Sequence, residues 1–191
     1  PIGAYAEKQI IPEEKLVPVP DGVSNEVASC ITLKGITAEY LLHRAYPVKK
    51  GDKILYHAAA GGLGQILCPW ANAIGAEVIG TVGSKEKEEI AKNNGCHHVI
   101  NYTDKNFVEE VEKIVGKNGI DVVYDGVGLK TFEGSIEVLK IRGMMVAFGN
   151  ASGYVDTIDV KKHINAKGLF FTRPSIAVSY THLTLPTSVT V

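Results

Sequence analysis

The chain has 191 residues, of which 45% are hydrophobic and 21% are charged, and its formal net charge is -1. This composition is typical of a globular protein, and the near-zero charge excludes a general electrostatic attraction to nucleic acid or to anionic membranes. The stretch 54–76 lacks Asp, Glu, Lys and Arg, but His57, Asn72 and Pro69 within it argue against a membrane-spanning helix.

The N-terminal segment does not show the pattern of the rest of the chain. Residues 1–25 carry Pro12, Pro18 and Pro20 together with a short apolar run at 9–11, which predicts the end of a preceding β-rich domain. The chain opens with Pro1 and has neither an initiator Met nor a basic-then-apolar leader, so we expect a fragment without a signal peptide. A pair of helices is expected around residues 26–46.

From residue 53 onward, short apolar runs alternate with segments of helical period. Strands are predicted at 53–57, 77–82, 98–100, 121–124 and 144–148, and helices at 62–74, 84–93, 104–115 and 131–139. This alternation predicts parallel strands with right-handed crossovers, and therefore an α/β fold with a doubly wound, Rossmann-type parallel sheet over residues 26–178. The Ser- and Thr-rich tail 179–191 does not match this fold.

A glycine-rich turn joins the first predicted strand to the first predicted helix of this unit. The segment 58–64 reads AAAGGLG, with Ala59 at the place of the first glycine of a dinucleotide-binding turn. Gly61 and Gly62 would let the backbone approach a pyrophosphate, and Gly64 would let the helix pack closely on the sheet. The helix N-terminus would attract the phosphates. A flexible turn that binds no ligand is the alternative.

The end of the second predicted strand indicates which dinucleotide would bind. Sites that prefer NAD place an acidic residue there, whereas the first acid after this strand is Glu86. Ser84 and Lys87 could instead donate to a 2′-phosphate, so NADP(H) is favoured over NAD(H). The alternative is that Lys85 and Lys87 are solvated lysines balanced by neighbouring glutamates.

The three cysteines are odd in number and widely spaced, at positions 30, 68 and 96. Their spacing fits neither a zinc knuckle nor a redox CxxC motif. Small buried thiols in a reducing compartment are expected, which is consistent with a cytoplasmic protein.

Several motifs in series resemble one family. They are AAAGGLG at 58–64, GTVGS at 80–84 with Lys87, VINY at 99–102, DGVG at 125–128, FGN at 148–150 and TRPS at 172–175. Together they resemble the quinone oxidoreductase, or zeta-crystallin-like, branch of the medium-chain dehydrogenase/reductases, over about residues 3–176. The resemblance implies that residues 1–25 are the remnant of a GroES-like β domain and that 26–178 form an NADP(H)-binding domain.

The resemblance also implies a set of cofactor-binding residues. They are Thr37, Tyr40, Gly61, Gly62, Leu63, Gly83, Ser84, Lys87, Tyr102, Gly126, Phe148, Gly149, Asn150, Thr172 and Arg173. Within this set, Ser84, Lys87 and Tyr102 would hold the 2′-phosphate; the alternative for Tyr102 is an ordinary strand-end aromatic. Thr37 would approach the nicotinamide, or could be a helix-internal threonine that bonds its own backbone. Arg173 would close over the cofactor.

The implied activity is NADPH-dependent reduction of quinones by hydride transfer, without a metal. Lys34 stands where zinc-dependent relatives carry a cysteine ligand. We expect a small-molecule substrate, no nucleic-acid or membrane partner, a homodimer for the full-length protein and no turnover by this fragment. No catalytic residue can be nominated. Two alternatives are a nucleotide-binding module without catalysis and a reductase of alkenals or enones.

Overall fold

The computed structural model describes residues 5–13 and 16–176, so the predicted tail 179–191 lies outside the described residues. The chain divides into two compact units, Pro1–Leu33 and Lys34–Val191. In the first unit, the described residues include the beginning of a helix. The second unit contains all the described strands of a single sheet.

The sheet has six strands in the order β3-β2-β1-β4-β5-β6, and every neighbouring pair is parallel. The strands are β1 Lys53–His57, β2 Glu77–Val82, β3 His98–Asn101, β4 Ile120–Asp125, β5 Leu139–Ala147 and β6 Phe170–Thr172. This order is that of a doubly wound Rossmann-type sheet, so the predicted fold class is confirmed. The point where the strand order reverses lies between β1 and β4.

Helices connect these strands. They are α1 Asn25–Tyr40, α2 Gly64–Ile74, α3 Lys85–Asn93, α4 Phe107–Val115 and α5 Phe132–Val138, with two π-helical segments at Leu41–Ala45 and Val160–Asn165. A pair of separate helices was predicted around residues 26–46, and this is wrong: α1 continues without a break into the first π-helical segment. Gly75 ends α2 in the left-handed conformation, as its position after the helix predicts.

Some predicted boundaries are wrong by several residues. The helix predicted from residue 104 begins at Phe107, because the side chain of Asn106 accepts a hydrogen bond from Val108 N and caps the helix. The helix predicted at 131–139 ends at Val138, and β5 begins at Leu139 rather than at Met144. Phe148, predicted as the last residue of that strand, follows it.

Both faces of the sheet are covered, which explains the nearly continuous apolar strands. In β1, Ile54 and Tyr56 face the hydrophobic cluster that includes α2, whereas Leu55 faces the cluster that includes α4 and α5. This alternation follows from the two-residue period of a strand. None of the helices in the described part of the chain has the length and apolarity needed to cross a bilayer.

Candidate functional site

The turn between β1 and α2 brings backbone atoms unusually close together. A Cβ added at Gly64 would lie 2.2 Å from the carbonyl oxygen of Ala59, so only glycine fits there. Ala58 adopts a left-handed φ of 61°, a conformation that costs a non-glycine residue about 1 kcal/mol. The sequence-based role of Gly64 in close packing therefore matches the geometry of the turn.

The same turn explains why Ala59 can replace the first glycine of the motif. A Cβ added at Gly80, in the neighbouring strand β2, would lie only 2.6 Å from the Cβ of Ala59. Gly80 therefore leaves room for the extra methyl group of Ala59. The glycine at position 80 of β2 thus compensates for the alanine at position 59.

The predicted 2′-phosphate residues follow two neighbouring strands, with Ser84 and Lys87 after β2 and Tyr102 after β3. A Cβ added at Gly83 would lie 2.6 Å from the hydroxyl of Tyr102, so the Tyr102 ring crosses over this glycine. Tyr102 follows β3 and is 48% exposed, which leaves its ring accessible. Lys87 is an exposed residue in the first turn of α3.

Ser84 has the N-cap position of α3 but does not act as a cap. Its backbone is extended, and its side chain accepts no hydrogen bond from the first turn of the helix. The Ser84 Oγ is nevertheless buried, and it has no hydrogen-bond partner among the described residues. A buried hydroxyl without a partner costs about 1–3 kcal/mol. A phosphate oxygen would satisfy this hydroxyl, so the residues present fit the predicted 2′-phosphate.

A second group of predicted residues meets at the ends of β4 and β5. A Cβ added at Gly126 would lie 2.8 Å from the ring of Phe148, and one added at Gly149 would lie 2.6 Å from the carbonyl oxygen of Gly126. Arg173 donates from Nη1 to the carbonyl oxygen of Gly149 over 3.3 Å. The loops after the two strands thus lie against each other, and Arg173 holds the second of them.

The remaining predicted residues are distributed around these two groups. Thr37 and Tyr40 are buried in α1, and burial raises the pKa of the Tyr40 phenol. Leu63 is the N-cap residue of α2. Asn150 accepts a backbone hydrogen bond from Gly153, and Thr172 pairs with β5 from the edge strand β6.

A buried polar network beneath the turn was not predicted as part of the site. His57, the last residue of β1, contacts Thr81 Oγ1 through Nδ1 and Ser135 Oγ through Nε2, each over 2.9 Å. Ser135 Oγ also donates to Asp125 Oδ2 over 3.2 Å. Burial lowers the pKa of His57, an effect that the Asp125 carboxylate opposes.

The burial that lowers the pKa of His57 favours its neutral form, and for that form the contacts are consistent with one arrangement of protons. Because Ser135 donates its proton to Asp125, it accepts one from His57 Nε2, and Thr81 donates to the unprotonated Nδ1. A neutral imidazole satisfies every partner. The only sequence signal was a histidine in an otherwise apolar strand, and nothing in the sequence indicated its partners 24 and 78 residues away.

The other end of the Asp125 carboxylate shapes the loop after β4. Asp125 Oδ1 accepts from the backbone N–H groups of Val127 and Gly128 over 2.8 and 2.9 Å. Asp125 Oδ2 also accepts from the Thr131 hydroxyl over 2.7 Å. The network therefore links the turn after β1 to the loop after β4, which are the two loops on either side of the point where the strand order reverses.

Comparison with known proteins identifies the relatives of this chain. The profile of the family described as zinc-binding dehydrogenase matches residues 62–186. A 2-haloacrylate reductase from Burkholderia is 48% identical over 179 residues, which cover 92% of this chain and 54% of that protein. Quinone oxidoreductase 1 from Escherichia coli is 44% identical over 176 residues, with coverage of 92% and 54%.

The fold is shared with solved structures as well. The crystal structure of Escherichia coli quinone oxidoreductase complexed with NADPH superposes with a TM-score of 0.84 at 44% identity, over 88% of this chain and 52% of that one. The chain thus spans about half the length of the relatives that it matches.

The name of the matching family refers to zinc, so the side chains available as zinc ligands matter for this chain. Structural and catalytic zinc sites use at least three protein ligands from Cys, His, Asp or Glu. The part of the chain that the structure describes contains no group of three or more such side chains that could hold a metal ion. These residues do not fit a zinc site.

Proposed function

The chain belongs to the zinc-binding dehydrogenase family of the medium-chain dehydrogenase/reductase superfamily, and on this basis we propose that it is the cofactor-binding part of an NADPH-dependent reductase. The full-length protein would reduce small electrophilic substrates, with quinones as the first candidates because several of the relatives are quinone oxidoreductases. The bound dinucleotide would supply a hydride from nicotinamide C4.

The buried, unpartnered hydroxyl of Ser84 is the observation that most directly supports NADPH. NADPH and NADH differ only by a 2′-phosphate, and no carboxylate precedes Glu86 at the end of β2 to repel it. We propose that Ser84 and Tyr102 donate to this phosphate and that Lys87 supplies a positive charge. The relative from Escherichia coli was crystallised with NADPH, which agrees with this assignment.

For the nicotinamide end we propose a positioning role for the loops after β4 and β5. Thr37 and Tyr40 on α1 would contact the nicotinamide from one side, and Gly126 with residues 148–150 would border it from the other. Gly61, Gly62 and Leu63 would support the pyrophosphate, while Thr172 and Arg173 would cover the cofactor. The chain would contribute orientation and exclusion of water, both of which favour hydride transfer.

An activated alkene is the second candidate substrate. The Burkholderia relative, at 48% identity, acts on a 2-haloacrylate according to its name, and such a substrate carries a C=C bond next to a carboxylate. Reduction of that bond would use the same hydride donor and the same cofactor site. A quinone and a 2-haloacrylate differ in charge, so kinetics of the full-length protein with each would separate the two candidates.

We propose further that the 191-residue chain binds the cofactor without turnover, and that the full-length protein is a cytoplasmic homodimer. The proposal of a reducing compartment is supported by the three cysteines, which are all free. The domain boundaries at residues 25 and 178 remain predictions.

Fluorescence titration of the purified chain with NADPH and with NADH tests the proposed function. We expect NADPH to bind at least about tenfold more tightly than NADH, because one charge-assisted phosphate contact has that magnitude. Lys87→Ala should reduce this preference to about threefold or less while NADH affinity stays unchanged.

Lys92→Ala provides the matched control, since Lys92 is an exposed lysine in the last turn of the same helix. It should keep the NADPH preference of the wild type. Equal affinity of the folded wild-type chain for both nucleotides would contradict the 2′-phosphate assignment, and binding of neither would contradict the proposed function of this chain.

A further inference from the structure

Lys34 places its charged end on the glycine-rich turn. A Cβ added at Gly62 would lie 2.7 Å from Lys34 Cε and 3.1 Å from Lys34 Nζ. The long side chain therefore extends from α1 to the backbone of Gly62, which precedes the first turn of α2. The absence of a side chain at residue 62 is what allows this approach.

Within the described part of the chain, no carboxylate pairs with the ammonium group of Lys34. The ion pairs among the described residues involve other cations, and none includes Lys34. The N-terminus of α2, which begins two residues after Gly62, carries a partial positive charge, so the helix and the lysine repel each other weakly. An anion bound at this place would be attracted both by the Lys34 ammonium and by the N-terminus of α2, so the repulsion between them would be replaced by two favourable interactions.

We infer that Lys34 binds the pyrophosphate of the dinucleotide, with Nζ donating to a phosphate oxygen. This inference rests on the proposed function, because the cofactor is what brings a doubly charged pyrophosphate to the turn. The turn offers backbone N–H groups, which carry no formal charge, whereas Lys34 adds a full positive charge from a separate helix. A lysine is a common phosphate ligand because its charge is compact and its stem is flexible.

The assigned role distinguishes Lys34 from the residues around Ser84. The pyrophosphate is present in both NADPH and NADH, so Lys34 should contribute equally to the affinity of the two nucleotides. Lys87 should contribute to NADPH affinity alone. Lys34 is therefore an affinity residue, and Lys87 is a specificity residue.

Calorimetric titration of wild type, Lys34→Met and Lys34→Arg with NADPH and NADH tests this assignment. Lys34→Met keeps an unbranched stem over Gly62 but removes the charge. It should weaken binding of both nucleotides about tenfold and leave their affinity ratio unchanged. Lys34→Arg, which keeps the charge, should stay within about threefold of wild type. The salt dependence of Kd should also be smaller in Lys34→Met than in wild type.

The controls separate this inference from the proposed function. Lys92→Met, which removes an exposed lysine from the end of α3, should leave both affinities unchanged. Melting curves would show whether each variant is folded, and Lys34→Gln would replace Lys34→Met if the latter melts early. Wild-type affinities in Lys34→Met, or a loss confined to NADPH, would overturn the role of Lys34 and leave the proposed function intact. Failure of the folded wild type to bind either nucleotide would instead overturn the proposed function.

Discussion

His57 is a fully buried titratable residue directly before the glycine-rich turn. Its imidazole stacks edge-on against Phe107 at 5.1 Å between ring centroids and bridges Thr81 to Ser135. Protonation would place a hydrogen on Nδ1, facing the hydroxyl of Thr81, and a charge in the core. Burial disfavours that charge and lowers the pKa, although the nearby Asp125 carboxylate reduces the effect.

The lowered pKa of His57 predicts that stability falls in mild acid. Above an unfolded-state pKa of about 6.5, His57 is neutral in both states and contributes no pH dependence. Below that pH the unfolded chain takes up a proton that the folded chain excludes, until the pH reaches the lower folded-state pKa. The free energy of unfolding should therefore fall by up to about 1.4 kcal/mol per pH unit below pH 6.5.

Urea unfolding at several pH values between 7 and 5 would measure this slope. His57→Gln removes this titrating group. Its free energy of unfolding should therefore fall less steeply toward acid pH than that of wild type, by up to about 1.4 kcal/mol per pH unit. His43→Gln, which changes an exposed histidine, should keep the wild-type slope. Identical slopes in wild type and His57→Gln would show that His57 does not exclude a proton in the folded state.

Individual site residues were predictable to different degrees. The glycines of the turn could be predicted, because a close backbone approach leaves a spacing pattern in the sequence. The tolerance of alanine at position 59, where the motif has its first glycine, could not be predicted, since it depends on Gly80 in the neighbouring strand. The unpartnered Ser84 hydroxyl and the position of Lys34 over Gly62 were equally hidden, because each depends on how elements pack.

At the scale of single elements, α2 continues through Pro69 without interruption. Pro69 is an internal residue of this helix, where a proline removes one backbone hydrogen bond and crowds the preceding turn. A Cβ added at Gly95 would lie 3.0 Å from Pro69 Cα, so the turn after α3 packs directly on this residue. Nothing in the structure explains why proline is present there.

Pro69→Ala should therefore stabilise the protein. Restoring the helix hydrogen bond with a good helix former should raise the free energy of unfolding by about 2–3 kcal/mol, measured by urea denaturation. Pro47→Ala, at an exposed position outside the helices, should lower it by no more than about 1 kcal/mol. A lower stability of Pro69→Ala would show that the proline ring makes a favourable contact that outweighs the missing hydrogen bond.

The strand β5 illustrates why element boundaries were harder to predict than element types. Its first residues, 139–143, contain two cations and a glycine, a composition that does not indicate a buried strand. Arg142 has a φ of 61°, and the register between β4 and β5 shifts between Ile120 and Val122. Lys140 pairs with Asp121 of β4, so a contact between distant residues accompanies the irregular start.

On the scale of the whole molecule, the alternation of strands and helices predicted the parallel sheet, and with it the edge where a ligand is expected. Ser84, Gly62 and Gly126 all follow strands of a parallel sheet, and in such sheets ligands bind beyond the carboxyl ends of the strands. The strand order could be inferred because right-handed crossovers leave few topologies. The hydrogen-bond network from His57 to Asp125 could not be predicted from the sequence, because its members are separated by long stretches of chain.

The most direct test of NADPH recognition compares two ligands that differ by one phosphate and lack the nicotinamide. Calorimetric titration of the 191-residue chain with 2′-phospho-ADP-ribose and with ADP-ribose would isolate the contacts of Ser84, Lys87 and Tyr102. The phosphorylated ligand should bind at least about tenfold more tightly. Equal affinities in a folded chain would contradict the assignment of these residues to a 2′-phosphate site.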